Sequence, residues 1–97
     1  MPYFIFDEQK KPVAVSFEEW LKWRKKQPED YYRVASTDVK GKTVSTVFLH
    51  GIDHSYDGGK PVLWETMIFP EGDYCERYTS YEDALKGHQQ AVESLEK

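Results

Sequence analysis

Residues 62 to 69, Val-Leu-Trp-Glu-Thr-Met-Ile-Phe, are the most apolar window in the chain. Its length suits a strand, and near-continuous hydrophobicity is the pattern of a central strand covered on both faces. Pro61 opens the window, and Pro70-Glu71-Gly72-Asp73 closes it with a tight turn. A chain holding such a segment has to build a sheet around it. Glu65 is conspicuous inside it, because a carboxylate among these neighbours needs a partner.

The flanking segments supply the rest of that sheet. Tyr3 to Phe6 and Val13-Ala14-Val15 lie on either side of the turn-prone stretch from Asp7 to Pro12 and read as a hairpin. Tyr31 to Val39 and Lys42 to His50 flank a Lys40-Gly41 turn and read as a second hairpin. On its latter strand Val44, Thr46, Phe48 and His50 share one face, and Thr43, Ser45, Val47 and Leu49 share the other. After the Pro70 turn, Tyr74 to Thr79 alternates charged and aromatic residues, as on a partly exposed strand. Two helices complete the chain. Ser16 and Glu19 match a capping box that starts a helix, with Phe17, Trp20, Leu21 and the stem of Arg24 facing inward, Trp23 beside them, and Pro28 ending it. Ser80 caps the last helix, Glu82 and Asp83 complement its dipole, and Tyr81, Ala84, Leu85, His88, Val92 and Leu95 trace its apolar stripe.

The order is β-β-α-β-β-β-β-α, and the short turns permit only antiparallel neighbours. The expected architecture is a single α+β domain over residues 1–97: an antiparallel sheet of about four to six strands with two helices packed on one face. Thirteen basic residues against seventeen acidic ones give a net charge of −4, which disfavours binding to a phosphate backbone. The lone Cys75 cannot form an internal disulfide, no leader pattern is present, and nothing approaches the roughly 20 apolar residues of a membrane span. These features predict a cytoplasmic chain that neither enters a membrane nor reads nucleic acid.

Several separated motifs occur together: Val44-Ser45-Thr46-Val47-Phe48-Leu49, Asp53-His54, Trp64-Glu65-Thr66-Met67-Ile68-Phe69, Glu76-Arg77-Tyr78, and Glu82, Ala84, Gly87 and His88 on the last helix. From about Tyr32 to Val92 the chain resembles a family of small uncharacterised proteins encoded by tailed bacteriophages and prophages. The resemblance implies a phage context, in which small acidic accessory proteins bind and disable host components. It attaches no activity, and it leaves the amino-terminal hairpin and first helix outside its reach.

Three groups of residues could carry chemistry. His50, Asp53, His54 and Asp57 lie within eight positions on one glycine-rich loop and are ligand types for zinc or a similar ion, with His50, His54 and Asp57 the metal candidates. Their spacing matches no established metal signature, and the competing reading is a turn in which Asp53 and Asp57 accept backbone amides. His88 falls within an apolar stripe and needs a buried polar partner, for which Glu65 or the Asp53-His54 turn is available. Glu65 and Arg77 fall close to cross-strand register, which predicts an ion pair. Cys75 has no activating neighbour and reads as a small core or half-buried residue. Gly58-Gly59 is followed by Lys60-Pro61 rather than by a helix, so no phosphate loop forms and no cofactor is expected.

Trp23, Tyr31, Tyr32, Tyr56 and Tyr74 are the aromatic residues that the core pattern explains least, and an exposed cluster of them would mark an interface or a homodimer contact. The preferred reading is a non-enzymatic phage accessory protein that binds and inhibits a host or defence-system protein, of anti-CRISPR or other anti-defence type. Its binding candidates are Asp53, His54, Tyr56, Asp57, Glu65 and His88. The alternative is a small-ligand or metal-binding protein or hydrolase using the Asp53-His54 loop with Glu65 and His88. A minor virion or assembly component is the third reading.

Overall fold

Short connections oblige consecutive strands to pair antiparallel, and a computed structural model, which describes residues 2–55, 59–72 and 74–97, shows that pairing throughout. The elements are β1 (Tyr3–Phe6), β2 (Pro12–Val15), α1 (Phe17–Lys25), β3 (Arg33–Val39), β4 (Lys42–Phe48), β5 (Trp64–Phe69), β6 (Cys75–Tyr78) and α2 (Tyr81–Glu96). The first two strands form their own two-stranded sheet, and the other four form a sheet in the order β3-β4-β5-β6. This is the α+β fold and element order that the sequence implies.

Local chemistry explains the turns and caps. Asp7 Oδ1 accepts the backbone N–H groups of Gln9 and Lys11 at 2.8 and 2.9 Å, which closes the first hairpin. Lys40 and Gly41 both take positive φ (50° and 80°), the geometry that matches the twist of a two-residue hairpin. The Ser16 and Ser80 hydroxyls accept the N–H groups of Glu19 and Asp83, capping the two helices. The Glu19 carboxylate takes its bond from the Ser16 hydroxyl.

Alternation places Val44, Thr46 and Phe48 of β4 beside Trp64, Thr66 and Ile68 of β5 on one face, and all six are buried. The second helix lies along this face in contact with all four strands. The first helix packs against β1, and its Trp23 ring reaches the Phe48 ring from the same side, with 6.5 Å between centroids. Both helices therefore cover one face of the four-stranded sheet. The apolar window is consequently covered by helices on one face and not on two, because among the described residues no helix lies on the other. Glu65, Met67 and Phe69 alternate onto the open side.

Helix orientations also differ from expectation. The buried side of α2 carries Ala84, Gly87, His88, Ala91 and Val92, whereas Leu85 is 43% exposed. Small residues let the helix sit close to the sheet, and a Cβ on Gly87 would fall 2.1 Å from the Tyr78 hydroxyl. On α1 no residue is fully buried; Trp20, Leu21 and Trp23 are half-buried and Phe17 is 52% exposed. Trp23, Tyr31, Tyr32 and Tyr74 are not an exposed aromatic cluster, since each packs at the margin of a core cluster. Among the described residues no helix is long and apolar enough to cross a membrane.

Candidate functional site

The loop after β4 is organised by its aspartate. Asp53 Oδ1 accepts the backbone N–H groups of Ser55 and Val62 at 2.8 and 2.9 Å, and Oδ2 accepts the Ser55 hydroxyl at 2.9 Å. The bond from Val62, those from Ser55 and the nearby His54 hold the carboxyl below the usual carboxylate range, although burial opposes them. Asp53 is thus the turn-forming aspartate of the structural reading. Tyr56 and Asp57, also named as candidates, lie outside the described residues.

His50 and His54 serve different surroundings. His50 sits in left-handed backbone conformation (φ 57°), and its Nδ1 meets the Tyr31 hydroxyl at 2.9 Å. Its carbonyl accepts the Trp20 indole N–H at 2.8 Å, so the residue ties α1 to the loop. Burial, followed by the Arg24 charge, pushes its pKa down. His54 instead borders a shallow groove with Lys60, Arg77 and Thr79. Among the described residues, no three His, Cys, Asp or Glu side chains converge as a metal cluster would.

His88 does find polar partners, one buried and one half-buried, but they are neither Glu65 nor the Asp53-His54 turn. Its Nε2 meets the Thr37 hydroxyl at 2.9 Å and its Nδ1 the Thr46 hydroxyl at 2.7 Å. Thr46 Oγ1 bonds Thr66 Oγ1, which accepts the Tyr78 hydroxyl at 3.1 Å. One hydroxyl from each strand of the four-stranded sheet therefore joins the chain. One direction satisfies all four bonds: Tyr78 donates to Thr66, Thr66 to Thr46, Thr46 to Nδ1, and Nε2–H to Thr37. That requires a neutral imidazole protonated on Nε2, and burial pushes the pKa of His88 down accordingly. Among the described residues no buried side-chain nitrogen or oxygen lacks a partner. The network is complete without a ligand.

Glu65 points to the opposite side of the sheet. It stands directly across from Arg77 in the β5–β6 register, and Arg77 Nε donates to Glu65 Oε2 at 2.9 Å. Register sets Arg33, Val47, Glu65 and Arg77 in one row of this open face, and Ser36, Ser45, Met67 and Cys75 in the next. Asp38, Thr43 and Phe69 form a third row, with Phe69 44% exposed. Cys75 is exposed rather than half-buried, and its thiol lies 3.5 Å from Glu65 Oε2. Desolvation and the Glu65 carboxylate raise its pKa, the reverse of nucleophile activation.

The six candidates thus divide. Asp53 and His54 belong to the loop, Glu65 to the open face, His88 to the interior between sheet and helix, and Tyr56 and Asp57 to undescribed positions. Sequence reasoning missed Thr37, Thr46, Thr66 and Tyr78 as partners of His88. Strand parity was the available signal, since Thr46 and Thr66 alternate with the solvent-facing residues and must find polar partners within the core. No protein-family model, no curated protein and no solved structure matches the chain.

Proposed function

We propose that the protein is a non-enzymatic accessory protein of the phage type that binds and blocks a host or defence-system protein, using the open face of its four-stranded sheet. The observation that carries this reading is an apolar band of half-buried Val47 and Met67 and exposed Phe69 on this face, running beside the Glu65–Arg77 pair. Such a face offers apolar area together with an oriented ion pair for register, the combination that gives a partner both affinity and specificity. The phage context comes from the sequence resemblance. The alternative hydrolase gains nothing from the geometry, because its carboxylate Glu65 and its imidazole His88 lie on opposite faces of the sheet.

The test is protection of infecting phage in bacterial strains that carry defined defence systems. Expression of the wild-type chain is expected to raise plaque counts in at least one strain. Met67→Arg and Phe69→Asp should abolish that gain while leaving the circular dichroism spectrum and thermal midpoint unchanged. Full protection by both folded variants would contradict the assignment of this face.

A further inference from the structure

β3 ends the four-stranded sheet, and among the described residues no strand pairs with its outer side. Such an edge presents a row of backbone donors and acceptors to any strand that can match it. The two-residue Lys40-Gly41 turn makes Val39 and Lys42 a hydrogen-bonded pair. By alternation the N–H and C=O groups of Thr37 and Ala35 then point to β4, and those of Ser36 and Asp38 point outward. Both outward residues are exposed.

A bulge decides which side chains accompany those groups. Arg33 and Asp38 are an odd number of positions apart, which would put them on opposite faces of a regular strand. The register shift between Arg33 and Ala35 makes Val34 an extra residue, so Arg33 stands across from Val47 and Asp38 across from Thr43, both on the open face. Each is exposed, and neither belongs to the ion pairs Lys42–Glu71 and Arg77–Glu65 found among the described residues. The bulge therefore sets a cation and an anion on one face, equally far along the ladder on either side of Ser36. Between them Ala35, Ser36 and Thr37 are small and uncharged.

We propose that β3 is a self-pairing edge: a second copy of the chain adds its own β3 antiparallel to this one, about a twofold axis at Ser36, and joins the two four-stranded sheets into one. In that register Ser36 exchanges both backbone bonds with Ser36 of the second copy, Ala35 faces Thr37, and Arg33 faces Asp38 on both sides of the axis. Neighbouring registers lose this match. Centring the pair on Thr37 sets Arg33 against Lys40, centring it on Asp38 sets carboxylate against carboxylate, and centring it on Ala35 sets Arg33 against Ser36. The contact uses the edge of the sheet, so it stands or falls separately from partner binding on the open face.

The test is sedimentation equilibrium of the purified chain from about 1 μM to about 1 mM, at low and high salt, with amide exchange followed in parallel. A monomer–dimer equilibrium is expected that salt weakens, because the two ion pairs are exposed. Exchange of the Ser36 amide should slow as the dimer fills. Arg33→Asp and Asp38→Arg should each raise the dimer dissociation constant at least about tenfold, since either change turns both attractive pairs into repulsive ones. Mixing the two variants should restore a dimer, as should combining both changes in one chain, because each arrangement again opposes unlike charges. The proposal is overturned if the wild type stays monomeric throughout, if the folded single variants dimerise as tightly as the wild type, or if neither the mixture nor the double variant recovers. A dimer broken by Met67→Arg and not by the charge reversals would move self-association to the open face and overturn it equally.

Discussion

His88 holds the last helix to the sheet through two hydroxyls, and both bonds suit a neutral ring. Because burial lowers its pKa in the folded chain, the unfolded chain takes up the proton more readily. The stability this residue contributes is therefore complete above the unfolded value of about 6.5 and is lost as pH falls below it. His50 shifts in the same direction, so both residues act in that window, whereas Asp53 withdraws its contribution only below about pH 4. Urea unfolding at pH 7.5 and pH 5.5 should show a drop for the wild type and a smaller drop for His88→Gln; equal drops would refute the neutral-ring assignment. Thr46→Val leaves Nδ1 without its partner and is expected to cost about 1–3 kcal/mol in the same assay. Gly87→Ala tests the tight approach beside this network. Alanine raises helix propensity by about 1 kcal/mol, yet its methyl meets the Tyr78 ring, so a net loss of about 1–3 kcal/mol is expected.

At the scale of elements, the amino-terminal hairpin and α1 hold to the sheet through few but specific contacts. Phe4 N–H donates to the Gly51 carbonyl at 2.9 Å, Trp20 bonds the His50 carbonyl, and the Phe6 and Trp23 rings pack on Phe48. Gly51 is the hinge point of this docking: its φ is 84°, and a Cβ there would fall 2.1 Å from the Phe4 carbonyl oxygen. Gly51→Ala should lower stability by at least about 2 kcal/mol and raise amide exchange in β1 and β2 before the four-stranded sheet. The elements themselves were legible from alternation, turn residues and the two serine caps, all of which are local signals. Their orientation was less so. The continuous apolarity of residues 62–69 suggested burial on both faces, but Met67 and Phe69 alternate with Trp64, Thr66 and Ile68, and only the helix side is closed. The stripe on α2 was displaced because hydrophobicity favours Leu85 over Gly87 and Ala91, whereas close approach to Tyr78 favours the small residues.

For the whole molecule, one face of the sheet carries both helices and a satisfied polar interior, and among the described residues no helix covers the other. The Glu65–Arg77 pair was legible from register, but its placement on the open face was not, because a single strand does not reveal which side the helices take. With side-chain exposures of 12% and 37%, the pair is partly screened, and Arg77→Ala should change stability by less than about 1 kcal/mol. The loop candidates could not be grouped from sequence, since whether Asp53 holds a ligand or a turn depends on where the Val62 amide falls. The most direct measurement is methyl NMR of the labelled chain in complex with the partner found through the protection assay. Resonances of Met67 and Val47 should shift or broaden while those of Val44 and Val92 stay in place. Perturbation confined to the Asp53-His54 loop, with Met67 and Val47 unmoved, would contradict the account.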